Sequence, residues 1–167
     1  MPVTVEVSGG VAVIRVDTPL GAAAARLRAV LPTLGGFDAL VLYGCERALS
    51  ADPKGVVYVG AAERRAHARE LRALRDELAA LPVPVVAAIG GNAFGAVAEL
   101  AMACDHRVLA EGGGLVRVTG QQVLMARRVT ADEALRMGMV DQVVPPGAVL
   151  SAAVALARRC MSAARRP

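Results

Sequence analysis

Apolar and polar positions change period several times along the chain. Residues 3–7 alternate, with Val3, Val5 and Val7 on one side, and a Gly9-Gly10 pair separates them from VAVIRV at 11–16. This pattern predicts a β-hairpin. In GAAAARLRAVL the alanines, Leu27, Val30 and Leu31 suggest a helix that stops before Pro32. A loop over 32–37 leads to ALVLYG (39–44), a short buried strand. AAERRAHARELRALRDELAALP then carries Leu71, Leu74, Leu78 and Leu81 at spacings of three and four. It predicts an amphipathic helix with an Arg/Glu face outward, ending before Pro82.

The stretch 82–111, PVPVVAAIGGNAFGAVAELAMACDHRVLAE, organises the rest. It reads as a strand over Val83–Ile89, a turn on Gly90 and Gly91, a short helix from about Gly95 to Ala103, and a second strand over Asp105–Leu109. An uninterrupted apolar run between Pro and paired glycines suits a parallel strand covered on both faces, and the helix after it presents its N-terminus above the strand end. Alternating strands and helices place the chain in the α/β class. Glu99 is the lone acid among Gly95 to Met102. Such a carboxylate either faces a cleft or carries a desolvation penalty that raises its pKa. Further on, Thr130 and Glu133 form a capping box, Gly138 closes that helix, and MVDQVV is a strand or extended edge. Pro145-Pro146-Gly147 precedes a last helix with an apolar stripe of Leu150, Val154, Ala157 and Met161.

Composition narrows this picture. With 167 residues, 55% of them hydrophobic, the chain is expected to bury one core as a single domain over 1–167. Two Phe, two Tyr and no Trp make that core aliphatic. The net charge of +4 comes from arginines scattered over helical faces and one lysine, Lys54. With few aromatics to stack bases, this argues against nucleic-acid binding, while an anionic ligand is compatible with the charge. Cys45, Cys104 and Cys160 are an odd set without CxxC or Cys/His ligand spacing, which points to a reduced, cytoplasmic protein with no metal site. No stretch is long and apolar enough to span a bilayer, and no signal sequence is evident, so no membrane partner is expected. Cys104 is expected to be a buried thiol at a helix end, and His67 a solvated side chain on a charged helix. Strand alternation puts Asp105 and His106 on opposite faces, which speaks against a dyad.

Pro84, Val85, Ala87, Ala88, Gly91, Ala93, Gly95 and Glu99, followed by Leu100-Ala101-Met102-Ala103-Cys104-Asp105 and the basic Arg107, resemble the crotonase (enoyl-CoA hydratase/isomerase) family. TADEALRMGMVDQVVPPGAVLSAAVALARR resembles a later segment of the same family, in the same order. The resemblance implies the ClpP/crotonase fold of repeated ββα units, and an acyl-CoA thioester as substrate and partner, with no cofactor besides the coenzyme A of the substrate. It further implies Glu99 as acid/base and an oxyanion hole of two backbone N–H groups, one at Ala96, where the family has glycine. The other belongs to the loop after residue 44, where Leu49, Ser50 and Ala51 match the family's Phe-Ser-Ala-Gly-Ala-Asp type segment. Ala48, Ser50, Ala51, Gly91, Phe94 and Gly95 are the implied substrate-binding positions.

The departures from the family pattern are equally specific. Read without a gap, Asp52 stands where the family has glycine and Pro53, which has no N–H, takes the donor position; a short deletion instead brings the N–H of Asp52 or Lys54 there. An Asn-Ala-Leu type motif near the first helix is missing. The second glutamate of the hydratases falls in a segment that here is only GGGLVRVTGQQVLMARRV, without an acid. Family members also continue with helices that cover the acyl pocket and build the trimer. The chain is thus expected to be truncated at those helices, with the exposed apolar surface covered in a homo-oligomer (trimer or hexamer) or in a hetero-complex with another crotonase. Two functions follow from the resemblance: an acyl-CoA enzyme working with one glutamate, or an inactive acyl-thioester binder or companion subunit.

Overall fold

The structure is a computed structural model and describes residues 3–18, 20–44, 61–116 and 128–164. Strands β1 (Val3–Ser8) and β2 (Val11–Val16) form the expected hairpin, paired from Val3↔Val16 to Ser8↔Val11. Gly9 and Gly10 both have positive φ (59° and 83°), the conformation that a two-residue hairpin loop requires and that side chains resist. Helix α1 (Leu20–Val30) passes into a 3-10 turn over Leu31–Thr33 that takes Pro32 at its start. β3 (Ala39–Gly44) follows, then α2 (Ala61–Ala79), β4 (Val85–Ile89) and β5 (Asn92–Phe94). The chain continues with α3 (Ala96–Ala103), β6 (His106–Ala110), β7 (Gly114–Val116) and β8 (Arg128–Thr130). It closes with α4 (Ala131–Arg136), β9 (Gln142–Val144) and α5 (Val149–Ala164).

Six strands make the main sheet in the order β1-β2-β3-β4-β6-β9, parallel except for β1. The two-residue period divides each strand between two cores. Ile14, Val16, Leu40, Leu42, Val85, Ala87 and Ile89 face α1, α2 and α3, where Leu27, Leu71, Leu74 and Leu100 meet them. Val11, Ala39, Val41, Val86, Ala88 and Val108 face α5. On α5 the deepest positions are Val149, Ala153 and Ala157; Leu150, Val154 and Met161 of the expected stripe flank them and are only partly buried. The alternation in β1 does not bury its valines: Val5 and Val7 are 38% and 49% exposed, because β1 is the sheet edge.

A second sheet, β5-β7-β8, was not evident in the local pattern. β5 runs parallel to β7 (Asn92↔Gly114, Phe94↔Val116), and β7 pairs antiparallel with β8. The shortened segment between Glu111 and Thr130 therefore supplies two strands beside the central turn.

Two hydrogen-bonding groups tie these layers together. Asp105 accepts from the Val85 N–H at the start of β4. Arg107 donates to the carbonyls of Ala101, Met102 and Cys104 at the end of α3 and to that of Met139. A cation on the last carbonyls of a helix satisfies groups that have no helical partner. Thr130 caps α4 by accepting from the Glu133 N–H at 3.3 Å, as its spacing predicted.

Candidate active site

The turn that follows β4 is built to start a helix in the open. The Gly90 N–H donates to the Gly44 carbonyl at 3.1 Å, which ties the ends of β4 and β3 together. Gly91 is buried, and a β-carbon placed on Gly113 would come within 2.6 Å of its carbonyl oxygen, so these two backbones touch because Gly113 has no side chain. From Asn92 the chain joins the second sheet, and the Gly95 N–H donates to the Val116 carbonyl at 2.8 Å. Arg128 braces the same place, donating from Nε to Asn92 Oδ1 at 3.0 Å and from Nη2 to the Gly112 carbonyl at 2.7 Å.

Gly95 precedes α3 with φ 59° and ψ −124°, a backbone shape open to glycine and strained for other residues. Its carbonyl accepts from the Glu99 N–H at 3.1 Å, closing the first turn of α3. The N–H groups of Ala96, Val97 and Ala98 therefore have no acceptor inside the helix. They point out of an end that favours negative charge. Phe94, Gly95 and Ala96 are half-buried there, while Val97, Ala98, Leu100 and Ala101 are packed against α2 and the sheet.

Glu99 leaves this apolar helix on its open side, with its side chain 51% exposed. It faces outward. Its carboxylate is neither satisfied by Arg107, which is engaged at the end of α3, nor isolated: Arg75 on α2 places Nη1 at 3.7 Å from Glu99 Oε2. Sequence reasoning passed over Arg75, since it is one of many arginines on a charged helix face, and over Arg128 and Gly113, since their partners lie across chain separations that no local pattern reports. Cys45, Ala48, Ser50, Ala51, Asp52, Pro53 and Lys54 lie outside the described residues.

The remaining candidates take structural places. Cys104 is 6% exposed, its Sγ lies 3.5 Å from the Leu100 carbonyl, and burial pushes the thiol up to about 12, with Arg107 opposing and Asp105 adding to the rise. Such a thiol is a poor nucleophile. His67 is half-buried rather than solvated, with its ring against Gly21 of α1, where an added β-carbon would sit 3.4 Å from the His67 Cβ. His106 and Asp105 take different partners: Asp105 accepts from the Val85 N–H, and His106 Nδ1 lies 3.3 Å from Asp141 Oδ1. Glu111 is exposed beside an open cleft of about 510 Å³ lined also by Gly113, Arg128, Thr130, Asp132 and Leu135, a set that includes none of the residues around Glu99. Among the described residues no group of three or more His, Cys, Asp or Glu could hold a metal ion, and no helix is long and apolar enough to cross a membrane.

This architecture has solved counterparts. The probable enoyl-CoA hydratase EchA3 from Mycobacterium tuberculosis superposes with a TM-score of 0.81 at 25% identity, over 97% of this chain and 83% of that one. EchA3 from Mycobacterium ulcerans, described as an enoyl-CoA hydratase, gives 0.80 at 25% identity, over 96% and 85%. The enoyl-CoA hydratase from Bacillus anthracis shares the fold with a TM-score of 0.80 at 23% identity, over 97% of this chain and 77% of that one. The fold is that of the crotonases, as the central stretch implied. The family model for enoyl-CoA hydratase/isomerase matches residues 8–114, from the β-hairpin to the turn that braces Gly91, and the chain belongs to that family.

Proposed function

We propose that this protein binds an acyl-CoA thioester at the start of α3 and moves a proton beside the thioester carbonyl with Glu99 as its single acid/base. The observation that carries the reading is the juxtaposition in α3: the Ala96 N–H without a helical acceptor and, one turn on, an outward carboxylate. Removing a proton from the carbon next to a thioester carbonyl sends the electron pair to the carbonyl oxygen. Preorganised N–H donors stabilise that oxygen, and loss of one such donor typically costs about a hundredfold to a thousandfold in rate. The Ala96 N–H is one donor and the Asp52 N–H the other. Glu99, protonated by the first step, returns the proton to the carbon two positions further along an unsaturated chain, and the double bond moves.

Hydration is disfavoured, because a second carboxylate is needed to activate water and residues 112–129 contain no acid. An isomerase-type shift uses one base twice. Glu99→Gln is expected to keep acyl-CoA binding in a calorimeter while losing deuterium exchange at the carbon beside the thioester; equal exchange in both proteins removes Glu99 from the mechanism. A second reading, an inactive acyl-thioester binder or companion subunit of a full-length homologue, is favoured by Pro53, which offers no N–H if it occupies the donor position. Saturable binding with no exchange in the wild type selects it.

A further inference from the structure

Glu99 stands on a short helix, half exposed, with several rotatable bonds between its backbone and its carboxylate. A general base must be held to within about half an ångström of its productive place, and a misplacement of about 1 Å can cost on the order of a hundredfold in rate. On the described surface around it, the charged group that meets this carboxylate belongs to a different helix. Arg75 follows Leu74, whose side chain is fully buried, so the rotation of α2 is set by the core and Arg75 is carried on the flank next to α3. Its Nε donates to Asp76 Oδ1 at 3.2 Å, which limits the swing of the guanidinium. Its Nη1 stands 3.7 Å from Glu99 Oε2, longer than a hydrogen bond, so the attraction is between charges and leaves the carboxylate's lone pairs available to a proton.

We infer that Arg75 is the positioning residue for Glu99, a cation that holds the carboxylate in one orientation without occupying it. This inference rests on the reading of Glu99 as the acid/base.

The test uses the full chain with Arg75→Ala, Arg75→Lys and Glu99→Gln. Deuterium exchange into a short unsaturated acyl-CoA is followed by NMR, with kcat and KM determined separately, and the carboxyl carbon resonance of Glu99 is recorded at neutral pH in each folded variant. Arg75→Ala is expected to lower kcat by about tenfold to a hundredfold with KM changed by less than about twofold, to shift the Glu99 carboxyl resonance, and to leave the thermal midpoint nearly unchanged. Arg75→Lys should recover part of kcat, since the charge returns without the guanidinium fork. A kcat for Arg75→Ala equal to that of the wild type, in a protein whose exchange Glu99→Gln abolishes, overturns the inference and leaves the function standing. If Glu99→Gln exchanges normally, or the wild type shows no exchange, the function reading fails instead. The resonance then decides alone: a Glu99 signal unmoved by Arg75→Ala overturns the inference.

Discussion

Gly95 concentrates several demands in one residue. Its backbone must turn from β5 into α3, donate to Val116 and accept from Glu99. A β-carbon strains the φ 59°, ψ −124° conformation, so Gly95→Ala is expected to lower stability by about 1–3 kcal/mol. Urea denaturation checks this, and the same substitution should weaken acyl-CoA binding by displacing the Ala96 N–H. Cys104 offers a second residue-scale test. Its thiol keeps its proton up to about 12 in the folded protein, whereas the ordinary value is 9.0. Above pH 9 the unfolded chain loses this proton and the folded chain does not, so this contribution is fully present below that pH and is lost as pH rises toward 12. The slope is at most about 1.4 kcal/mol per pH unit. Cys104→Ala should flatten the alkaline limb of a stability–pH curve measured by denaturant unfolding. An unchanged limb contradicts the burial of the thiol.

At the scale of elements, the second sheet holds the candidate site from behind. Its strands are three residues each, too short to stand alone, and Arg128 clamps β8 to Asn92 and to the Gly112 turn. Arg128→Ala should therefore reduce acyl-CoA affinity more than it reduces the unfolding midpoint, since it frees the approach to Gly95 without opening either core; calorimetry and thermal melting give the two numbers. Thr130 supports the other end of β8 by capping α4, and Thr130→Ala is expected to cost about 1 kcal/mol in chemical denaturation.

For the whole molecule, one sheet is packed by helices on both sides, with different tolerances. Leu74 fills the space between α2 and the sheet, and Leu74→Ala should cost about 2–5 kcal/mol through the cavity it leaves. On the other side Ala153 and Ala157 let α5 lie close to Val41 and Ala88. Ala153→Leu overfills that interface and should cost about 1–3 kcal/mol, read from the denaturant midpoint.

These scales also divide what could be read from the chain. The hairpin at Gly9-Gly10, helices α1 to α3, the buried strand β4 and the Thr130 cap were legible because each depends on residues within a few positions of one another. The place of Glu99 in the first turn of α3 was legible for the same reason, whereas Ala96 was singled out only through the resemblance to the crotonase family. The amino-acid order by itself determined the α/β class, the glycine that starts α3, and the lone carboxylate on an apolar helix. Tertiary structure alone decided that Val5 and Val7 lie at an exposed edge, that Asn92 pairs with Gly114, that Gly113 rests on Gly91, and that Arg75 rather than Arg107 meets Glu99. Turn and helix propensities act within one or two turns of chain, whereas these contacts arise only when distant segments share a core, and hydrophobic burial specifies that a face is covered without specifying by which residue.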